Sequence, residues 1–466
     1  MKLSITIIFF ISLTNLIVLN ECNLSYLKPD FPYKEGLITN ADEPSYFAPA
    51  INFIEHGVWK DNSSGNSSYF TRTPAYGLIF LLANCCGREN AFFVLKIIQI
   101  LFFCGSLFFF FKLLLYFKVN QKVSLLVTLI YGILPCFSGF VYYTLSESII
   151  PFFLLWAVYS TLKMNPKVVF SWEVIASNAI MVMIRPQLIV IPAIFLMVQL
   201  LNREKRVISL IVAFIPLILW NIRSYTIEGN WLGIHPIYSA TNNSMFRPPH
   251  EEMTNLFRIW DYRGDVFHTQ IHTLARDTSK LTLDKVLKQV PIRFHIDVAP
   301  LFSTFQRICF YQQQLFNGNE IKYLLPIERK FIAECALTRK RLIQKFPVDY
   351  YIITPLMSAK KLIVTSMMNL YVFQVPWRNF WLVKALKLVS FFIILGGLCT
   401  LFAQLIYSSK ELRILSFAIL LSFFYLIAVQ RFNEERYILP YLSLMLIQFT
   451  VLIQQFYSRI KFKRAH

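Results

Sequence analysis

Charged side chains are scarce in this chain: Asp, Glu, Lys and Arg make up 15% of its 466 residues. A soluble domain carries roughly 25%. With 56% hydrophobic residues and a mean hydropathy of +0.51, the chain holds more apolar surface than a single water-soluble core can bury. Recognisable catalytic motifs are missing too. There is no Walker A loop, no HExxH, no GxSxG and no GxGxxG between a strand and a helix. Those absences remove ATP-driven pumping, metalloprotease action and nucleotide-sugar binding on a Rossmann domain from the leading readings. The eight cysteines include no CxxC pair and no ligand-like spacing with histidine, which argues against structural zinc. No long basic run accompanies the formal net charge of +20, so that charge reads as basic residues flanking membrane helices and in an outer loop, not as a nucleic-acid surface. Repeats and coiled-coil heptads are lacking, and the low-complexity tract is confined to residues 62–68.

What is abundant is aromatic and aliphatic. The 45 Phe and 23 Tyr suit a chain that faces acyl tails and their interfaces. Apolar stretches of spanning length lie at 3–20, 91–117, 123–141, 146–162, 206–222, 382–407, 411–430 and 437–457. The first lacks a small-x-small cleavage site and reads as an uncleaved helix. Residues 168–201 are apolar except for Arg185-Pro186 near their middle. An arginine at the bilayer centre costs at least ~2.5 kcal/mol, and proline disfavours helix for the residue before it, so two short helices meeting at an outer-surface turn are predicted there. The expectation is an all-α polytopic membrane protein with about ten transmembrane helices.

Short basic loops set the orientation. Lys118/Lys122, Lys163/Lys167, Arg203/Lys205/Arg206, Lys410/Arg413 and the tail Arg459/Lys461/Lys463/Arg464 all fall on the side of Lys2, which the positive-inside rule makes cytoplasmic. Regions 21–90, 137–146, 223–380 and 431–436 are then external. Three parts follow: an N-terminal membrane module, 1–222, whose first external loop is 21–90; a small helical external domain, 223–380; and C-terminal membrane helices, 381–466. Within the loop, Tyr46 to Ile54 reads as an amphipathic interfacial helix. Leu362 to Phe373 is too short and isolated to span. Cys309 and Cys335 share the external domain and would be able to pair in an oxidising compartment.

Ionisable residues that carry chemistry gather on the outer face. Asn40-Ala-Asp-Glu-Pro-Ser-Tyr-Phe47 sets Asp42 beside Glu43. The same residues also read as a helix start, with Asp42 as N-cap and Glu43 and Pro44 in the first turn. Phe70-Thr-Arg-Thr-Pro-Ala-Tyr-Gly77 places Arg72 before a proline turn, able to grip a phosphate with its fork or to snorkel to headgroups. Leu145-Ser-Glu-Ser148 puts Glu147 at a helix end. Arg185, Arg223 in Trp220-Asn-Ile-Arg-Ser-Tyr225, and Arg436 in Glu434-Glu-Arg-Tyr-Ile-Leu-Pro440 map to the same face. Four arginines and three acids at the external ends of different helices form a candidate anionic-ligand site.

The order of these motifs resembles the GT-C superfamily of membrane glycosyltransferases. The resemblance is nearest to bacterial relatives of the protein O-mannosyltransferases and of the lipid A aminoarabinose transferase. It is carried by Asp42, Glu43 and Tyr46; Arg72, Pro74, Tyr76 and Gly77; Ser146 and Glu147; Arg185 and Pro186; Trp220, Arg223 and Tyr225; and Glu435, Arg436, Tyr437 and Pro440. The turn here reads Arg-Thr-Pro-Ala-Tyr where the family often has Arg-Pro-Pro-Gly-Tyr, Ser224 stands where Asn is common, and 226–380 has no counterpart.

The resemblance implies a polyprenyl-phosphate-linked sugar donor and an acceptor glycan, lipid or protein. Transfer would occur at the non-cytoplasmic face of a multi-pass membrane protein, in a bacterium the periplasmic side of the inner membrane. Asp42 would be the general base with Glu43 beside it; Arg72, Tyr76, Arg223, Arg436 and Tyr437 would meet the donor's phosphate and lipid; Glu147 and Arg185 would lie on the acceptor or sugar side. A divalent metal at the phosphate is compatible with these motifs but not specified by them. The competing reading is a transporter or flippase for an anionic lipid or solute, which would use the same arginines but calls for paired broken helices and internal repeats, neither of which is present.

Overall fold

A computed structural model describes residues 2–25, 33–39, 42–61, 72–228, 248–262, 282–288, 290–316, 324–366, 380–431 and 435–465. The tract at 62–68, the 367–373 part of the predicted short segment and Glu434 lie outside them.

The chain is an integral membrane protein whose secondary structure, among the described residues, is helical apart from one small hairpin. Among the described residues, six helices are long and apolar enough to cross a membrane: Ile5–Cys22, Arg88–Tyr116, Val207–Ile227, Trp381–Tyr407, Lys410–Val429 and Leu439–Ser458. About ten spans were expected, two of them short helices within 168–201. The other four expected spans are shorter: Gln121–Ile133, Ile150–Lys163, Trp172–Ile184 and Pro186–Leu201. A 13-residue helix such as Gln121–Ile133 is only about 20 Å long, against a ~30 Å apolar core.

Proline explains the shortening. α1 (Lys2–Ser25), α2 (Glu43–His56), α3 (Ala75–Asn84) and α4 (Ala91–Tyr116) precede α5 (Gln121–Ile133). Leu134 is then extended before Pro135, which opens the single turn α6 (Pro135–Ser138). Pro135 has no N–H to donate to the preceding turn, so the predicted 123–141 helix cannot continue through it. Residues 134–150 instead run as a buried segment into α7 (Ile150–Lys163). The predicted break at Arg185-Pro186 is present between α8 (Trp172–Ile184) and α9 (Val190–Leu201). α10 (Val207–Ala213) and α11 (Ile215–Glu228) follow.

The buried segment is fastened by the hairpin. β1 (Tyr33–Lys34) pairs antiparallel with β2 (Leu37–Ile38). Its two-residue turn has φ +48° at Glu35 and +79° at Gly36, the left-handed pair that tight hairpins require. On its outer edge Ile38 accepts from Thr144 N (3.0 Å) and donates to Tyr142 O (2.7 Å). The 134–150 segment therefore cannot shift without breaking strand pairing.

A second core belongs to α12 (Pro248–Phe257), α13 (Leu283–Leu287), α14 (His295–Phe316) and α15 (Pro326–Lys345), with Met253, Phe257, Phe294, Phe305, Phe331 and Leu342 at its centre. Cys309 and Cys335 are free and buried in it, not bridged. Burial pushes both thiols up to about 12, so neither is a nucleophile near neutral pH. α16 (Thr354–Lys360) then leads toward α17 (Trp381–Tyr407), α18 (Lys410–Phe424) and α19 (Leu439–Ala465). Within that last bundle Gln404 donates to Gln448 O (2.8 Å) and Ser416 to Gln448 Oε1 (2.5 Å). Interhelical hydrogen bonds of this kind tie helices that gain nothing from hydrophobicity in lipid.

Candidate functional site

Asp42 stands at the start of α2 with Pro44 in the first turn, as the helix-start reading expected. Its side chain, however, makes no capping hydrogen bond. The carboxylate is turned to two arginines instead. Arg436 Nη1 donates to Oδ2, and Arg72 Nη2 lies 3.4 Å from Oδ1. These three residues come from the first loop, the entry to α3 and the entry to α19, and only the fold brings them together.

The arginines are themselves placed by aromatic faces. Arg72 lies 5.0 Å from the centre of the Tyr46 ring and gives its Nε to Ser45 Oγ at 3.1 Å. Arg436 and Arg185 both sit 5.3 Å from the Tyr437 ring. Arg185 pairs with Glu147 at 3.1 Å, both side chains being under a tenth exposed. Glu147 Oε2 accepts from Ser146 Oγ (3.2 Å), which is 3.3 Å from Tyr46 OH. The contacts close into a ring: Asp42, Arg72, Tyr46, Ser146, Glu147, Arg185, Tyr437, Arg436. Three guanidiniums face two carboxylates, an excess of one positive charge. Among the described residues Arg185 Nη1 is buried without a hydrogen-bond partner, an unsatisfied donor that costs free energy unless an acceptor reaches it.

The acidity of Asp42 follows from this surrounding. Burial pushes its carboxyl up, but the charges of Arg72 and Arg436, the Arg436 hydrogen bond and the charge of Arg185 outweigh it and hold it below the usual carboxylate range. Asp42 is therefore ionised at neutral pH.

Glu43 is not a second copy of this group. It is buried, with Lys34 Nζ at 3.0 Å and Thr144 Oγ1 at 2.8 Å on its two oxygens. It ties the start of α2 to the hairpin and the 134–150 segment. Lys34 and Thr144 escaped notice in the sequence because a lone Lys in a two-residue strand and a Thr before a helix carry no pattern.

Tyr76, expected on the donor side, is fully buried and receives a hydrogen bond from Gln99 at 3.3 Å. It packs edge-on beneath Tyr46 at 5.3 Å, so it supports the ring without facing it. Its neighbour Gly77 permits the approach: a Cβ there would lie 2.7 Å from Tyr46 O. Arg223 is not brought to Asp42 by any contact described. It donates to Trp59 O at 3.3 Å and lies 5.0 Å from the Trp220 ring, beyond the far end of α2. Among the described residues no group of three or more His, Cys, Asp or Glu gathers as a metal site.

No protein-family model matches the chain, and no curated protein matches it. Among solved structures it is similar to the archaeal oligosaccharyltransferase AglB from Archaeoglobus fulgidus, in complex with an inhibitory peptide and a dolichol-phosphate. That similarity has 14% identity and a TM-score of 0.44, and covers 97% of this chain and 51% of the other. The chain thus spans about half the length of that neighbour. A likeness this distant transfers neither activity nor site residues.

Proposed function

We propose that the chain is a glycosyltransferase that moves a sugar from a polyprenyl-phosphate donor to an acceptor hydroxyl or phosphate at the non-cytoplasmic membrane face. The observation that carries this reading is one carboxylate held between Arg72 and Arg436, beside a third, buried arginine with an unsatisfied donor, in an integral membrane protein. The acceptor oxygen attacks the sugar's anomeric carbon while Asp42 takes its proton. The bond from that carbon to the phosphate oxygen breaks, and its electron pair leaves on the phosphate. One displacement inverts the anomeric centre. Arg72 and Arg436 stabilise the charge that develops on the departing phosphate, with Arg185 and Tyr437 behind Arg436.

The same two arginines serve Asp42 and the phosphate, which orders the events. A donor phosphate competes with Asp42 for the guanidiniums and loosens their hold on it. The carboxylate then regains basicity as the donor seats, so proton removal is confined to the loaded site.

Two outcomes test the frame. Arg72→Ala weakens donor-lipid binding strongly, and Arg72→Lys retains part of it, because charge survives while the fork is lost. Affinity measured in nanodiscs checks this, and unchanged binding in the alanine variant returns Arg72 to a snorkelling role. For the face, single cysteines in a background without native exposed cysteines are treated with an impermeant thiol reagent from outside. Position 265, outside the described residues, reacts and position 204 does not. Labelling at 204 from outside would overturn the orientation.

A further inference from the structure

The stretch from Asp349 to Ser366 is helical throughout, with wide π turns at Asp349–Ile353 and Lys361–Ser366 on either side of α16. Its polarity is inside out. The side chains turned into the protein are Thr354, Pro355, Ser358 and Leu362, and Thr354 donates to Ile259 O at 2.7 Å. The opposite side carries Val348, Ile352 and Leu356 at four-residue spacing, with Tyr351 alongside, and these are 54%, 52%, 65% and 66% exposed. A helix in water turns its apolar stripe inward. Thr354 and Ser358 at the contact, with Val348, Ile352 and Leu356 outward, is the arrangement of a helix in lipid, where burial of apolar groups between helices brings no gain.

The position of the helix says what covers that face. α16 packs on Tyr425–Gln430, the continuation of the membrane-spanning α18, and Lys361–Ser366 packs on α17 and on Glu435–Tyr437. Arg431 fixes the near end: it donates to Arg258 O and to Tyr350 O (2.6 Å) and lies 4.0 Å from the Tyr350 ring. The exposed stripe therefore borders the membrane-spanning elements, where Phe392 on α17 and Val429 within Tyr425–Gln430 are 59% and 56% exposed. Lys345 and Lys360 are exposed toward its two ends, where cationic heads reach lipid headgroups.

We propose that the 348–356 face is a membrane-docking surface, sunk into the acyl region of the leaflet on the active-site side with its lysines at the headgroups. The external helical unit is thereby held against the bilayer beside Glu435–Tyr437, so Arg436 lies at the depth of a lipid-linked phosphate. The docking does not depend on the transfer reaction being correct.

The test needs no substitution. The native protein is placed in nanodiscs of phosphatidylethanolamine and phosphatidylglycerol carrying a diazirine on the acyl chain, illuminated and digested with trypsin. The peptide 346–360 is expected to carry adducts at a yield like that of 388–410 from α17, and about tenfold above 331–339 from α15, because an interfacial apolar face sits among the acyl chains. Labelling of 346–360 no higher than 331–339, with 388–410 labelled, overturns the proposal.

Discussion

Asp42→Asn protein, supplied with a polyprenyl-phosphate sugar and an acceptor, turns over at least about a hundredfold more slowly than the parent per folded molecule, because a positioned base contributes roughly 10²–10⁴ to rate. Its yield stays close to normal, since the side chain makes no cap that the change removes. Its melting temperature falls only modestly, because the part-exposed ion pairs with Arg72 and Arg436 are weakened, not stranded. Donor binding moves the other way. Asparagine leaves Arg72 and Arg436 without their carboxylate competitor, so donor affinity rises. A charged hydrogen bond is worth about 1.5–3 kcal/mol, partly offset by the interactions asparagine still makes, which places the gain at severalfold to tenfold. Loss of turnover together with tighter donor binding is the signature; normal turnover per folded molecule would remove Asp42 from the chemistry and reopen the transporter reading. Weaker donor binding with lost turnover would leave the base in place but remove the competition.

The same competition has a pH signature. Asp42 is held below the usual carboxylate range by its arginines, so in the free protein it stays ionised as pH falls to that range and protonates only below it. A seated phosphate draws the arginines away and adds its own negative charge, and both effects raise the carboxyl. The acid limb of kcat/KM for the acceptor at saturating donor is therefore expected at higher pH than that of kcat/KM for the donor, which reports the free enzyme. Coincident limbs would count against the ordering. The linked stability has the depressed-carboxylate sign: it is present above the unfolded carboxyl's ordinary range and is lost as pH falls through the folded value.

Arg185→Met is expected to damage the fold severely. It strands Glu147, a carboxylate only 5% exposed, whose other oxygen has Ser146. Removing one partner of a buried pair costs about 3–5 kcal/mol, whereas replacing both with apolar groups is often neutral. The Glu147→Leu/Arg185→Met double variant should therefore recover most of the yield and melting temperature that the single variant loses. It will not recover donor binding to the same degree, because Arg185 also supports Tyr437 behind Arg436. Equal stability in the single variant and the parent would show that the pair contributes nothing to the fold. Full donor affinity in the double variant would confine Arg185 to a structural role.

The cost of placing charge and backbone breaks in lipid made much of this protein legible from its residues. The apolar runs marked a membrane protein, and Arg185-Pro186 marked a break in 168–201 because neither residue suits the middle of a spanning helix. Asp42, Arg72, Glu147, Arg185 and Arg436 stood out because ionisable groups in such a chain are rare. Helix length was harder to read: the 123–141 run is apolar to its end, and hydropathy does not register that Pro135 stops the helix while the apolar residues after it continue in buried, irregular backbone. Pairing was not readable at all. Composition and motif order put Glu43 beside Asp42 and Arg223 among the outer-face arginines, but a carboxylate's partners are set by which segments arrive within hydrogen-bonding reach of it. The β1–β2 hairpin, fastened to Thr144, delivers Lys34 and Thr144 to Glu43, while the approach of the chain before α19 delivers Arg436 to Asp42. The sequence by itself determined the solvent this chain folds in and the charges it had to place there. Only the tertiary structure decided which charges meet, because contacts between segments up to 394 positions apart leave no local pattern in the chain.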